Sequence, residues 1–343
     1  MNRVVFLLVP GLHLLDLAGP AQVFSTAADA GLPYRLAYVA DHPGTGQEDG
    51  PEDGPEDRQG GGPGDGRAGE REVPTAQGLP LRAPAAWPDL TAADTVMVPG
   101  WRWRDGTPHA PPISARAARR LVAHHAAGGT VASVCAGAFA LAHAGLLDGR
   151  RCTTHHELQD DLARRHPRAA VVRDVLYVTD GRVLTSAGIA SGIDLALHLL
   201  AVRHGPAAAA QVARTMVVYA RRNGDQPQAG AMLRYRAHLS DPVHRAQDLI
   251  DAAYTRPLPL ARLAAAAGVS ERTLTRRFAA ATGLTPLRYQ QELRLEHAEH
   301  LMAQGATAEA AARAVGFTDA RMLRRLRARP QRATGRAGAA PTP

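Results

Sequence analysis

Two similar helix-turn-helix signatures lie in tandem in the C-terminal third of the chain. The first is LARLAAAAGVSERTLTRRF, residues 260–278, and the second is AEAAARAVGFTDARMLRR, residues 308–325. Each reads as a short Ala-rich helix, a turn glycine (Gly268, Gly316), a hydroxyl residue placed to cap the next helix (Ser270, Thr318) and an Arg-studded second helix. The second helix of such a motif lies in the major groove, with its early residues at the base edges. Two copies joined by a helical stretch point to a DNA reader.

The charge distribution agrees. Residues 245–343 carry 16 Arg against 8 acidic residues, whereas residues 1–244 hold 24 of each. The whole formal excess of +8 therefore falls on the segment with the two signatures. A solubility charge would be spread, while a localised one is the footprint of a phosphate-binding face. All 40 cationic residues are Arg. Arg can fork onto guanine O6 and N7, although a lysine-free chain also fits a GC-rich genome.

The front half has a different rhythm. Apolar runs at residues 4–9, 34–39, 94–100 and 129–134 read as strands, separated by helical patterns such as 14–30 and 114–127. Unbroken Val, Ile and Leu runs between helices imply a mainly parallel sheet with helices on both faces, an α/β sandwich of flavodoxin type. Residues 175–178 and 183–186, around Asp180 and Gly181, read as a hairpin, and residues 190–204 as a closing helix. Residues 42–72 are Gly, Pro, Glu and Asp with no large apolar side chain, and are expected to be a disordered acidic insert. The expected organisation is a domain over 1–205, a helix and linker over 206–242, an all-α double reader over 243–329 and a frayed tail over 330–343.

A length of 343 residues and 45% hydrophobic content suffice for two cores. Two cysteines, Cys135 and Cys152, make neither a disulfide framework nor a metal-ligand spacing, so no metal or other cofactor is expected. The N-terminal apolar run is too short for a signal peptide, and no run approaches the roughly 20 residues that span a bilayer. A cytoplasmic chain with no membrane partner is expected.

Cys135 follows a buried strand and precedes an Ala-rich helix. That is the context of a nucleophile elbow, where a helix N-terminus favours the thiolate. Cys152 lacks this context and reads as structural.

The C-terminal segment resembles the AraC/XylS family of transcription regulators, through GVSERTLTRRF (268–278), TGLTPLRY (282–289), RLEHA (294–298), Gly316 and Phe317. The front 205 residues resemble the PfpI-type, class I glutamine-amidotransferase-like domain, through LLDLAGP (14–20), VPG (98–100), SVCAG (133–137), LLDG (146–149), Thr154 with His155, and TSAG (185–188). Fused in this order they are similar to the GlxA-type AraC regulators. The resemblance implies a sequence-specific regulator of transcription. Its partners would be DNA, a small-molecule effector, RNA polymerase and a second copy of the chain.

By the same resemblance, Arg272, Thr275 and Arg276 face bases in the first reader, and Arg321, Arg324 and Arg325 in the second. Residues three or four apart share one helix face, so Leu274 and Phe278 would anchor the buried side. Arg324 could equally contact phosphate. A helix over 286–304 would space the readers along successive major-groove segments. The effector pocket, or a vestigial catalytic site, would comprise Asp16, Gly100, Cys135, Ala136 and His155. Trp101 and Trp103 could line it, and His156 stands where related domains often carry Trp. Three readings of Cys135 stay open: a sensing pocket inherited from an enzyme, a Cys-dependent hydrolase or amidase with a vestigial DNA-binding tail, and a redox-sensing or merely buried thiol.

The second reader departs from the first. Leu274 is followed four residues later by Phe278, but Leu323 by Arg327. An unpartnered Arg in a core is costly, so the second helix is expected to be weak and to end before Pro330.

Overall fold

The computed structural model describes residues 2–41, 69–103, 111–218, 222–225, 228, 235–303 and 305–328. The chain divides into two compact units, Met1–Gln228 and Ala229–Pro343.

The first unit is built on a sheet of six strands. In chain order these are β1 (Asn2–Leu8), β2 (Tyr34–Ala40), β5 (Thr95–Val98), β6 (Thr130–Val134), β9 (Tyr177–Asp180) and β10 (Val183–Ser186). Their order across the sheet is β2-β1-β5-β6-β10-β9, all parallel except β9 against β10. Val4, Val5, Phe6 and Leu7 of β1 are fully buried, as are Val96, Met97 and Val98 of β5. This is why those strands read as continuous apolar runs. The antiparallel edge is the expected hairpin, shifted so that its first strand ends at Asp180, with Gly181 at φ 60 in the turn.

Among the described residues this unit has six α-helices: α1 (Leu14–Asp29), α2 (Ala115–Ala126), α3 (Gly137–His143), α4 (Gln159–Arg165), α5 (Ser191–His204) and α6 (Pro206–Thr215). Helices α1, α5 and α6 pack on one another, and α2 packs on α3. Two short pairings complete the unit, β3 (Glu70–Val73) with β4 (Leu81–Pro84) and β7 (Arg151–Cys152) with β8 (Ala170–Val171).

Two expectations change here. Residues 70–72, assigned by composition to the acidic insert, begin β3, because Val73 is buried and the backbone groups of 70–73 pair with β4. Residues 42–68 of that insert lie outside the described residues. Helix α6, expected in a linker, belongs to the first unit, with Ala209 and Val212 buried in its core.

The described residues of the second unit form helices and turns: α7 (Asp241–Ala253), α8 (Leu260–Ala267), α9 (Glu271–Thr282), α10 (Pro286–Ala303), α11 (Ala308–Ala314) and α12 (Ala320–Arg327). It has two cores. Val243, Ile250, Leu263, Leu274, Phe278, Tyr289 and Leu293 form one, and Leu295, Ala298, Val315, Phe317, Leu323 and Leu326 the other. Helix α10 supplies side chains to both.

The second recognition helix ends at Arg327, before Pro330 as expected, but Arg327 does not take the core position. Leu326, three residues after Leu323, fills the core position, at 4% exposure. Arg327 stays outside, with Nε 3.5 Å from Glu299. A buried face can run i, i+3 as well as i, i+4. The expected Thr318 cap is also displaced by one residue. Asp319 accepts from the backbone of Arg321 at 2.8 Å and Met322 at 3.3 Å, while Ser270 caps α9 as expected. Among the described residues, no helix is long and apolar enough to cross a membrane.

Candidate functional site

In an open parallel sheet, ligands collect beyond the carboxyl ends of the strands, where the strand order reverses. Here β1 lies between β2 and β5, so that crevice opens beside β1. The residues after four strands converge there: Asp16 after β1, Gly100 after β5, Cys135 after β6 and Gly188 after β10.

Cys135 sits in the elbow at φ 55, a left-handed conformation that costs a non-glycine residue about 1–3 kcal/mol. Its N–H donates to the Ser186 carbonyl at 2.9 Å, and its own carbonyl accepts from Thr154 Oγ1 at 2.8 Å. A Cβ on Gly188 would fall 2.2 Å from the Cys135 Cβ, so only glycine lets the two backbones approach. A Cβ on Gly100 would fall 2.7 Å from the Cys135 Cβ, 2.6 Å from Asp16 Oδ2 and 2.8 Å from Ala136 N.

Asp16 is completely buried. Ile189 N–H donates to its Oδ1 at 2.6 Å. Oδ2 has no hydrogen bond of good geometry and faces Gly100 and Cys135. Burial pushes this carboxyl up to about 6, against the lowering effect of the Ile189 and Gly100 amides. Burial also pushes the Cys135 thiol well above its ordinary range, and the Asp16 charge adds to that. The expected thiolate is therefore overturned. The Ala136 amide favours the anion, but a site that excludes water and holds a carboxylate outweighs one helix end.

His155 does not pair with Cys135. Its Nδ1 lies 3.7 Å from Glu157 Oε2 and its ring 4.3 Å from the His156 ring. Among the described residues no hydrogen bond joins it to the thiol. Burial lowers its pKa, and His156 lowers it further, so the ring is neutral at pH 7. His13 belongs to the same rim. It is lowered by burial and by Arg102 and His155, and it shares a 3.1 Å hydrogen bond with Gln77. Trp101 is buried and packs 5.3 Å from Trp103, which lies edge-on to Phe139. Cys152 is buried in β7, its thiol pushed up to about 12 by burial, as befits a structural residue.

In the second unit, α9 presents Arg272, Arg276 and Arg277 to solvent. Among the described residues none of the three is in an ion pair. Thr275 is half-buried, and its hydroxyl donates to the Glu271 carbonyl at 2.9 Å, which leaves its methyl and a lone pair for other contacts. On α12, Arg321 is exposed, Arg324 lies 3.6 Å from Glu309, and Arg325 lies 3.0 Å from the Met322 sulfur. Helix α10, with 18 residues, spans about 27 Å between the readers.

The DJ-1/PfpI family model matches residues 2–202, and a helix-turn-helix domain model matches residues 263–329. The chain belongs to the DJ-1/PfpI family. It is similar to the HTH-type transcriptional regulator GbdR of Pseudomonas aeruginosa, 30% identical over 235 residues, 68% of this chain and 62% of that protein. It is also similar to an uncharacterised protein in the cpoL 5' region of Streptomyces lividans, 40% identical over 166 residues, 48% of this chain and 96% of that one. A third relative is the isonitrile hydratase of Pseudomonas putida, 29% identical over 201 residues, 57% of this chain and 70% of that enzyme. The chain thus spans less than two thirds of the length of the regulator it matches.

A DJ-1/PfpI domain followed by an AraC-type helix-turn-helix domain is the order anticipated from the motifs. In this DJ-1/PfpI unit the structure brings together four of the anticipated site residues, Asp16, Gly100, Cys135 and Ala136, and leaves His155 on the rim. Sequence reasoning missed His13, Gln77 and Ile189. The Ile189 contact arises from its own left-handed φ of 51, which no residue type in the LTSAGI run announces.

Proposed function

We propose that this chain is a cytoplasmic, sequence-specific DNA-binding regulator of transcription whose DJ-1/PfpI unit senses a small molecule. The observation that carries this is the stripe of exposed arginines on α9, free of ion pairs among the described residues, over an anchored core of Leu274 and Phe278. Exposed guanidinium groups at the start of the second helix of a helix-turn-helix are placed for base edges. Arg272, Thr275, Arg276, Arg321, Arg324 and Arg325 are the proposed contacts, with Arg324 the one already engaged by an acid. The GbdR relative supports the same reading.

The buried, protonated thiol without a histidine partner suits a sensing pocket better than a hydrolase. Asp16, Gly100, Cys135, Ala136 and the rim residue His155 are its proposed lining. A homodimer would present two reader arms to repeated half-sites, with RNA polymerase as the downstream partner. A second reading, a Cys-dependent enzyme, draws on the Asp16–Cys135 juxtaposition and the isonitrile hydratase relative. The test is binding to duplexes selected from a random pool. Arg272→Ala and Arg276→Ala abolish selectivity if the chain is a regulator, and Cys135→Ser abolishes turnover if it is an enzyme.

A further inference from the structure

The segment that leads out of the first unit is tied to the loop that carries the site. Residues 222–228 directly precede Ala229, where the second unit begins. Arg222 donates from its backbone to Asp194 Oδ1 at 3.1 Å, and from Nε and Nη2 to Oδ2 at 3.1 and 2.6 Å. The Gly224 carbonyl accepts from the Leu176 and Tyr177 amides at 2.7 and 3.1 Å. Gln228 donates from Nε2 to the carbonyls of Thr154 and Val175 at 2.9 and 3.0 Å, and from its backbone to Asp174 Oδ1 at 2.9 Å.

Thr154 is the junction. It is completely buried and sits between the elbow and the exit segment. Its hydroxyl holds the Cys135 carbonyl at 2.8 Å, and its own carbonyl receives Gln228 and, at 3.2 Å, Gln159. His155 is the next residue. A continuous run of hydrogen bonds therefore joins Cys135, through one residue, to the last residue before the second unit. Buried polar groups are expensive to leave unpaired, so such bonds rearrange together. Gln228 Oε1 is itself buried without a partner, so the amide group is held by its NH2 side alone.

We propose that Thr154 and Gln228 couple the Cys135 site to the helix-turn-helix unit. A ligand that moves the elbow or the His155 loop shifts the Thr154 carbonyl and releases Gln228, which frees the exit segment. This rests on the reading above that the first unit senses a ligand. Coupling between sites is reciprocal, so loosening Gln228 also loosens the site with no ligand present.

The test uses the purified full chain. Iodoacetamide labelling of Cys135 is followed by peptide mass, with hydrogen exchange of the β1 amides as the measure of global opening. In Gln228→Ala, Cys135 labels at least about fivefold faster, the low end of coupling between sites, while β1 exchange stays unchanged. A smaller increase, or one matched by β1, overturns the proposal. Thr154→Val supplies the second variant. It speeds exchange of the Leu176 and Tyr177 amides by about the same factor, and Thr154→Ser, which keeps the hydroxyl, restores the wild-type rate. Equal exchange in Val and Ser variants overturns it.

Affinity for a duplex selected on the wild-type chain separates coupling within the first unit from its effect on the reader. Gln228→Ala changes that affinity if the coupling reaches the reader, and unchanged affinity counts against it. If the wild-type chain selects no duplex, the regulator reading fails and the labelling result alone decides whether site and exit segment are coupled.

Discussion

Arg294 donates from Nη1 to the Gly316 carbonyl at 2.8 Å, so the helix between the readers grips the turn of the second one. The same guanidinium donates to the Tyr254 carbonyl at 2.6 Å and the Arg256 carbonyl at 3.0 Å, beyond the end of α7. Its flat face lies over the Phe317 ring at 5.5 Å. One side chain thus ties three segments of the second unit together. Hydrogen bonds from a charged donor contribute about 1.5–3 kcal/mol each and do not add fully. Arg294→Ala is expected to lower the stability of the second unit by about 3 kcal/mol, measured by urea unfolding. Arg294→Lys recovers only part, because its single nitrogen cannot reach the three positions that Nε, Nη1 and Nη2 occupy.

Gly316 is constrained from the other side. At φ 86, a Cβ there would fall 1.9 Å from the Thr255 carbonyl oxygen. Gly316→Ala is expected to cost more than about 2 kcal/mol, through strain and displacement of that carbonyl. Gly283 has a similar φ of 72 but nothing within 4 Å of its Cβ position. Gly283→Ala should cost only about 1 kcal/mol. Equal losses in the two variants, by thermal melting, would show that the close approach to Thr255 is immaterial.

The arginines should separate into two kinds. Arg272→Ala and Arg276→Ala are each expected to weaken binding to a selected duplex by about 1–3 kcal/mol and to relax preference at one position. Arg324→Ala, which already has Glu309 for company, should weaken binding to all duplexes alike and flatten the salt dependence. Titrations at two salt concentrations read both effects.

Asp16 makes stability fall with rising pH. Its folded pKa is about 6, above the ordinary 3.8, because burial disfavours the charge. The folded state therefore holds this proton more tightly than the unfolded chain. The associated stability is complete below the ordinary value and is lost as pH rises through about 6. At most about 3 kcal/mol is involved. In Asp16→Asn this loss disappears, so the variant gains on wild type between pH 4.5 and 7.5. An unchanged gap in urea midpoint between those pH values would mean that the carboxyl titrates normally.

Much of the fold was legible because its signals are local. The runs around Val5 and Val96 are apolar on both faces, as a covered parallel strand requires. Gly268 and Ser270 marked the first reader turn by their own backbone chemistry. The misreadings are tertiary. Whether position 326 or 327 enters the core depends on how α12 rolls against α10 and α11. The thiol state of Cys135 depends first on burial and then on Asp16, which lies far away in sequence. Residues 222–228 resemble a linker in composition, yet Gly224 and Gln228 offer a carbonyl and an amide that β9 and the Thr154 loop can use. Hydrogen-bond partners of that kind leave no trace in hydropathy.

The most direct measurement is the ratio of affinities of the full chain for a duplex selected from a random pool and for unselected duplex, at physiological salt. The account predicts a ratio of at least about a thousandfold, collapsing when Arg272 and Arg276 are both changed to Ala. A wild-type ratio near one, or a ratio that survives the double change, would contradict it.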